Sequence, residues 1–296
     1  MLVLILQISL SISCFSQSTI VLKSEISPDK SVNIYYTKTT PGTYTIYLNF
    51  LEYENTLTPQ TKFVVNDYTG FLFSMKPINT NKYIRYTYNY NYRRGYVNPK
   101  IDSSFVYILP FKENKSIEVR FLTNLAKHFD IDEPETWKSF QFICHNADTV
   151  CSVRKGIVVK VVDNYSIDTT ANYSYSSKRN LIFIEHKDGT FAKYSGFNGN
   201  HIFVKEGDIV FPNQPLGILA QYDKGGSFQL RFSIEYLKEN YNKDDDKNKF
   251  LYNFINPFFM TSNGIEKLEA RKKYETKFTD DLIKKELSKK ELKKLK

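Results

Sequence analysis

Five short segments between residues 180 and 236 constrain this chain more than any other feature. They read Leu181-Ile-Phe-Ile-Glu-His-Lys-Asp-Gly189, Ala192-Lys-Tyr-Ser-Gly-Phe197, Val204-Lys-Glu-Gly-Asp-Ile-Val210, Pro215-Leu-Gly-Ile-Leu-Ala220 and Gln229-Leu-Arg-Phe-Ser-Ile234. Across them, short apolar stretches are broken by Asp188-Gly189, Gly196, Gly207-Asp208 and Pro215. That is the signature of brief strands joined by turns. The rest of the chain agrees. It holds 22 Tyr and 23 Phe but only 12 Gly, and aromatics suit half-buried strand faces. A length of 296 residues leaves room for about two domains, and the expected fold is mainly β.

Residues 18–120 read as an N-terminal antiparallel sheet or sandwich. Ser31-Val-Asn-Ile-Tyr-Tyr36, Gly42-Thr-Tyr-Thr-Ile-Tyr-Leu-Asn-Phe50 and Tyr83-Ile-Arg-Tyr-Thr-Tyr-Asn-Tyr-Asn-Tyr92 alternate with the period of a strand. Ser104-Phe-Val-Tyr-Ile-Leu-Pro110 is a further strand, ending at its proline. The tyrosine ladder beside Arg93 and Arg94 invites a base-stacking reading. Cross-strand aromatic pairing explains it better, and no nucleic-acid partner is expected. Residues 121–136, with Asp130, Asp132, Glu133 and Glu135 around Pro134, read as a linker. A second β domain follows over residues 137–260.

The net charge of +9 is uneven. Residues 265–296 hold 12 Lys and Arg against 7 Asp and Glu, a net of +5. Leu282, Ile283, Leu287 and Leu292 roughly follow helical spacing, so residues 261–296 are expected to form an exposed Lys-rich helical tail that can touch anionic surfaces. Asp244, Asp245 and Asp246 lie in a polar stretch that reads as a solvated loop.

The first 17 residues carry no charge, and an apolar run ends in Ser13-Cys-Phe-Ser-Gln17. This pattern reads as a secretory signal peptide, with a weak lipoprotein-box match at Ser11-Ile-Ser-Cys14. It places the protein in the periplasm, the cell envelope or the medium, and no other stretch is long enough to span a membrane. In an oxidising compartment Cys144 and Cys151, seven positions apart, are disulfide candidates that would staple a hairpin. The alternative is a pair of buried thiols.

The order of the five segments resembles the lysostaphin-type zinc endopeptidases, family twenty-three of the metallopeptidases. Members run roughly "V-x-I-x-H-x-x-G, Y-x-H-L, V-x-x-G-x-x-V, G-x-x-I-G, H-L-H-F-E". The resemblance covers residues 137–236 and implies a lysostaphin-type (duplicated hybrid motif) β domain with a groove for peptidoglycan peptides. It also implies one zinc ion on three protein ligands, with an open position for water. Family members place a His and an Asp four residues apart ahead of "G-T-P-V-x-A-A-x-x-G-x-V", and Val150, Gly156 and Val158 match that run here. The two ligand positions then fall on Trp137 and Gln141. The histidine of Y-x-H-L falls on Gly196, and the two of H-x-H fall on Gln229 and Arg231.

The scaffold is therefore expected without its zinc chemistry: no cofactor, no catalysis. Gln141, Tyr194, Gln229 and Arg231 would line a groove that binds wall peptide or an envelope protein such as a wall hydrolase. The alternative is an active zinc peptidase with rearranged ligands. Four histidines are available for it, His128, His145, His186 and His201. His145, beside Cys144 and near Asp148, and the upstream His128 are the positions to watch.

Overall fold

The computed structural model describes residues 19–122, 135–166, 179–221, 227–240 and 250–294. Residues 1–17, expected to form a signal peptide, His128 and the acidic run Asp244–Asp246 lie outside them. The fold is mainly β, with twenty strands and two short helices among the described residues. No helix among these residues is long and apolar enough to cross a membrane.

Six strands build the N-terminal unit: β1 (Ile20–Ile26), β2 (Val32–Lys38), β3 (Tyr44–Glu54), β4 (Lys62–Val65), β5 (Thr69–Met75) and β6 (Arg85–Arg94). They form two three-stranded antiparallel sheets, β1-β2-β5 and β4-β3-β6. Alternation decides which faces meet. Ile20 and Tyr36 from one sheet pack with Ile46, Leu48 and Phe63 from the other. Tyr88, Tyr90 and Tyr92 of β6 pack against this core, while Arg85, Thr87, Asn89 and Asn91 point to solvent. The rings of Tyr86 and Tyr88 stack at 6.1 Å. The tyrosine ladder is thus sheet packing.

The second unit holds β7 (Val106–Ile108), β8 (Ser116–Phe121), β9 (Phe140–Cys144), β10 (Thr149–Cys151), β11 (Gly156–Val162), β12 (Asn180–Glu185), β13 (Phe191–Ile202) and β14 (Ile209–Val210). It continues with β15 (Pro215–Leu219), β16 (Phe228–Glu239), β17 (Phe250–Ile255), β18 (Phe258–Thr261), β19 (Gly264–Glu266) and β20 (Lys273–Glu275). One large sheet runs β14-β11-β12-β13-β16-β9-β8-β20, with β17 added beside β16 and β15 bridging β13 and β10. A small sheet, β19-β18-β7, brings Tyr107 and Phe259 against the large one. Phe140, Phe142, Phe232 and Phe259 form a buried ring cluster with centroids 5.7 to 6.5 Å apart. Each buried ring contributes about 1.5–3 kcal/mol through the water it leaves.

Three expectations need correction. The strand after residue 104 and β8 belong to the second unit, because Phe105, Tyr107, Leu109, Phe111, Ile117 and Val119 are buried in its core. Cys144 and Cys151 are free thiols. The staple presumed that β9 and β10 pair as a hairpin, but β9 pairs with β16 and β8 while β10 pairs with β15. Burial pushes both thiols up, Cys151 to about 11, so they stay protonated at neutral pH.

The tail is the third. It opens with β19 and β20 and ends in α1 (Asp280–Lys284) and α2 (Lys289–Lys294). Thr279 caps α1 by accepting from the Leu282 amide at 3.3 Å. Phe278, Leu282 and Ile283 pack on the core of the second unit, so this end of the chain is docked.

The two units are tied together directly. The Thr43 amide donates to Glu185 Oε2 at 2.8 Å, and Arg94 Nη1 donates to the Val159 carbonyl at 2.6 Å. Gly42 has φ +86, and a Cβ there would lie 2.4 Å from Val159 Cγ1, so only glycine fits this approach.

Candidate functional site

Strand register assembles a polar row on the face of the large sheet opposite its core. Ser195 of β13 pairs with Arg231 of β16, Arg231 with Gln141 of β9, and Gln141 with Arg120 of β8. Period-two alternation sends Leu230, Phe232, Phe140 and Phe142 into the core and leaves Gln229, Arg231 and Gln141 on the other side. Gln229 shares a face with Arg231 because the two are two positions apart on β16. Gln141 Nε2 donates to Gln229 Oε1, and Gln229 Nε2 donates on to Ser227 Oγ at 2.9 Å. Arg120 Nε is held by Glu118 at 2.8 Å. Gln141 and the Gln229–Arg231 pair, singled out from two separate motifs, therefore lie together.

Tyr194 does not join them. It is fully buried on the core face, where its hydroxyl accepts from the Val153 amide at 2.9 Å. Burial pushes its phenol well above the ordinary value. The reason is alternation: Tyr194 pairs with Phe232, and only its neighbour Ser195 faces the row. Gly196, where the family pattern has a histidine, sits at φ +130, and a Cβ there would lie 2.3 Å from the Gln229 carbonyl oxygen. A side chain at this position cannot be accommodated without moving β16. Trp137 is a structural residue, donating Nε1–H to the Leu122 carbonyl at 2.9 Å and packing edge-on against Phe254.

The described histidines are scattered. His145 and His201 are exposed. Cys144 beside His145 is buried, and Asp148 is engaged by Lys115 at 2.8 Å. His186 is buried in the turn between β12 and β13. The Thr190 hydroxyl donates to Asp188 Oδ1 at 2.7 Å, so the 2.9 Å contact to His186 Nδ1 is one in which the ring donates. Burial, then the charge of Arg154, pushes the His186 pKa down to about 3, which keeps the ring neutral.

The sequence reading missed the centre of this second cluster, Arg154. It is 3% exposed. Nη1 donates to Asp188 Oδ2 at 2.8 Å, while Nε and Nη2 grip the two oxygens of Glu286 at 2.9 and 2.7 Å. The guanidinium lies 3.7 Å from the Phe105 ring centroid. Burial opposes ionisation of Asp188, and the Arg154 charge nevertheless holds it below the usual carboxylate range. Next door, Lys155 Nζ donates to Glu291 Oε2 at 2.7 Å. Glu286 is 132 positions from Arg154, and no local pattern signals such a partnership.

Ser195, Gln141, Gln229 and Arg231 do not fit a zinc ion. They offer no imidazole, carboxylate or thiolate, and a guanidinium keeps its proton. At ~4 Å and an effective dielectric of about 20, one unit charge repels another by ~4 kcal/mol, and a dication by about twice that. Among the described residues no group of three or more His, Cys, Asp and Glu is placed to hold a metal.

No protein-family model matches this chain, and no curated protein does. Among solved structures it is similar to the M23 metalloprotease pseudoalterin from the deep sea, at 16% identity over 50% of this chain and 91% of that one, with a TM-score of 0.30. A putative M23 peptidase from Pseudomonas aeruginosa is similar at 9% identity over 66% of this chain and 83% of that one, with a TM-score of 0.29. Helicobacter pylori Csd3 is similar at 14% identity, over 70% and 66% of the two chains, with a TM-score of 0.27. These overlaps are loose, and the chemistry of the site rests on its own residues.

Proposed function

We propose that this chain is an exported cell-envelope protein that uses a lysostaphin-like sheet as a binding surface and does not catalyse hydrolysis. The observation that carries this reading is the Gln141–Gln229 amide pair beside Arg231, in the row where the family pattern would put zinc ligands. The floor of such a groove is set by strand register rather than by a metal, so the surface survives loss of the ion, and fold alone fixes no activity. The ligand in this reading is a wall stem peptide. Its carboxylate takes the planar fork of Arg231, and the two amides supply donors and acceptors along its backbone.

Co-sedimentation of the mature chain with purified peptidoglycan tests this. The wild type is expected to pellet with the wall, Arg231→Ala to stay largely in solution, and no muropeptides to be released. Equal binding by Arg231→Ala, or release of cleaved peptides by the wild type, would overturn it.

A further inference from the structure

A second concave surface lies where the two units meet, away from the polar row. It is a crevice of about 800 Å³. Val64 and Tyr96 of the N-terminal unit face Ile157 and Ile209 of the second. Three of these side chains are open to water: Val64 is 39% exposed, Tyr96 45% and Ile209 55%. Crevices between domains with apolar walls and a few polar groups are common ligand sites.

The charges around it are unbalanced. Its acids are already committed: Glu185 accepts from the Thr43 amide, and Asp188 and Glu286 both hold Arg154. His186 is neutral, and Lys155 is paired with Glu291. Lys100 and Lys187 also line the crevice, and among the described residues neither takes an ion pair. The surface therefore presents two available ammonium groups beside an apolar wall. The wall also carries two sheet edges. Val64 lies on β4 and Ile209 on β14, each the outermost strand of its sheet. An outer strand can add an extended main chain.

We infer that this crevice docks an extended segment of a partner protein in which acidic side chains alternate with apolar ones. The apolar side chains cover Val64, Tyr96 and Ile209. The carboxylates reach Lys100 and Lys187, and the main chain runs along an outer strand. A neutral saccharide would leave both ammonium groups and the sheet edges unused, and an isolated anion would use neither the wall nor the edges. The inference is independent of the groove, since it shares no residue with the polar row.

The probe is a blocked hexapeptide, acetyl-Glu-Leu-Glu-Val-Glu-Leu-amide, titrated into the isotope-labelled mature chain and followed by NMR. The control peptide carries Gln in place of each Glu. The Glu peptide is expected to shift the signals of Val64, Tyr96 and Ile209, and the Gln peptide to bind about tenfold more weakly. The exposed double variant Lys100→Gln/Lys187→Gln is expected to lose the same factor, while Arg231→Ala keeps full affinity for the hexapeptide. Absence of shifts at the crevice, equal binding of the two peptides, or shifts centred on Gln141 and Gln229 would overturn the inference. A wild-type response to a peptidoglycan disaccharide at the crevice would overturn it in favour of a saccharide site.

Discussion

Two arginines of the second unit separate what this molecule needs for folding from what we propose it offers to a ligand. Arg154 is buried, grips two carboxylates from distant parts of the chain, and stacks on Phe105. Arg231 is half-buried on the outer face of the same sheet, flanked across the strands by Ser195 and Gln141. The first closes a structural circuit linking the β12–β13 turn to the C-terminal helices. The second stands beside Ser195, Gln141 and Gln229, which are neutral and polar. Residue type alone does not distinguish them; burial does.

The largest effect expected is at Arg154. Arg154→Ala strands Asp188 and Glu286 without their cation and should cost about 3–5 kcal/mol in chemical denaturation. A loss below about 1 kcal/mol would place both arginines in one class and break the contrast.

Next is the pH dependence of the same cluster. The folded-state pKa of His186 is pushed down to about 3, against ~6.5 for a free histidine. A depressed folded value means that stability is complete above ~6.5 and is lost as pH falls towards 3, by a few kcal/mol in all. His186→Gln should flatten that slope. Urea titrations at pH 7 and pH 4.5 check it, and an unchanged slope would remove His186 from the account.

A smaller effect is expected at Gly196. Gly196→His restores the family residue but meets the Gln229 carbonyl at a positive φ, and should destabilise by about 1–3 kcal/mol without creating zinc affinity. Smallest of all is Arg231→Ala, which should change stability by less than about 1 kcal/mol while abolishing wall binding. A cost near that of Arg154→Ala would make Arg231 a structural residue too.

Local pattern carried much of this into view, and its failures share a cause. Strand periodicity placed β2, β3 and β6, and the resemblance put Gln229 and Arg231 in one groove, where alternation along β16 sets both on one face. A motif match does not say which face of a strand is the core, so the expected groove takes in Tyr194, whose ring belongs with Phe232. Nearness in sequence suggested a Cys144–Cys151 staple, but β9 and β10 pair with other strands and both thiols are free. Lysine content made the tail look solvated, because its anchors Glu286 and Glu291 find Arg154 and Lys155 more than a hundred positions upstream. Contacts of that range leave no periodic trace.

The central claim is that the row around Arg231 is a binding surface that holds no zinc. Elemental analysis of the purified, untagged mature chain, prepared without added metal, tests it most directly. The account predicts zinc well below one equivalent per chain, unchanged in His145→Ala. Zinc close to one equivalent, lost on removing His145 or His128, would contradict it and make peptidoglycan cleavage the activity to assay.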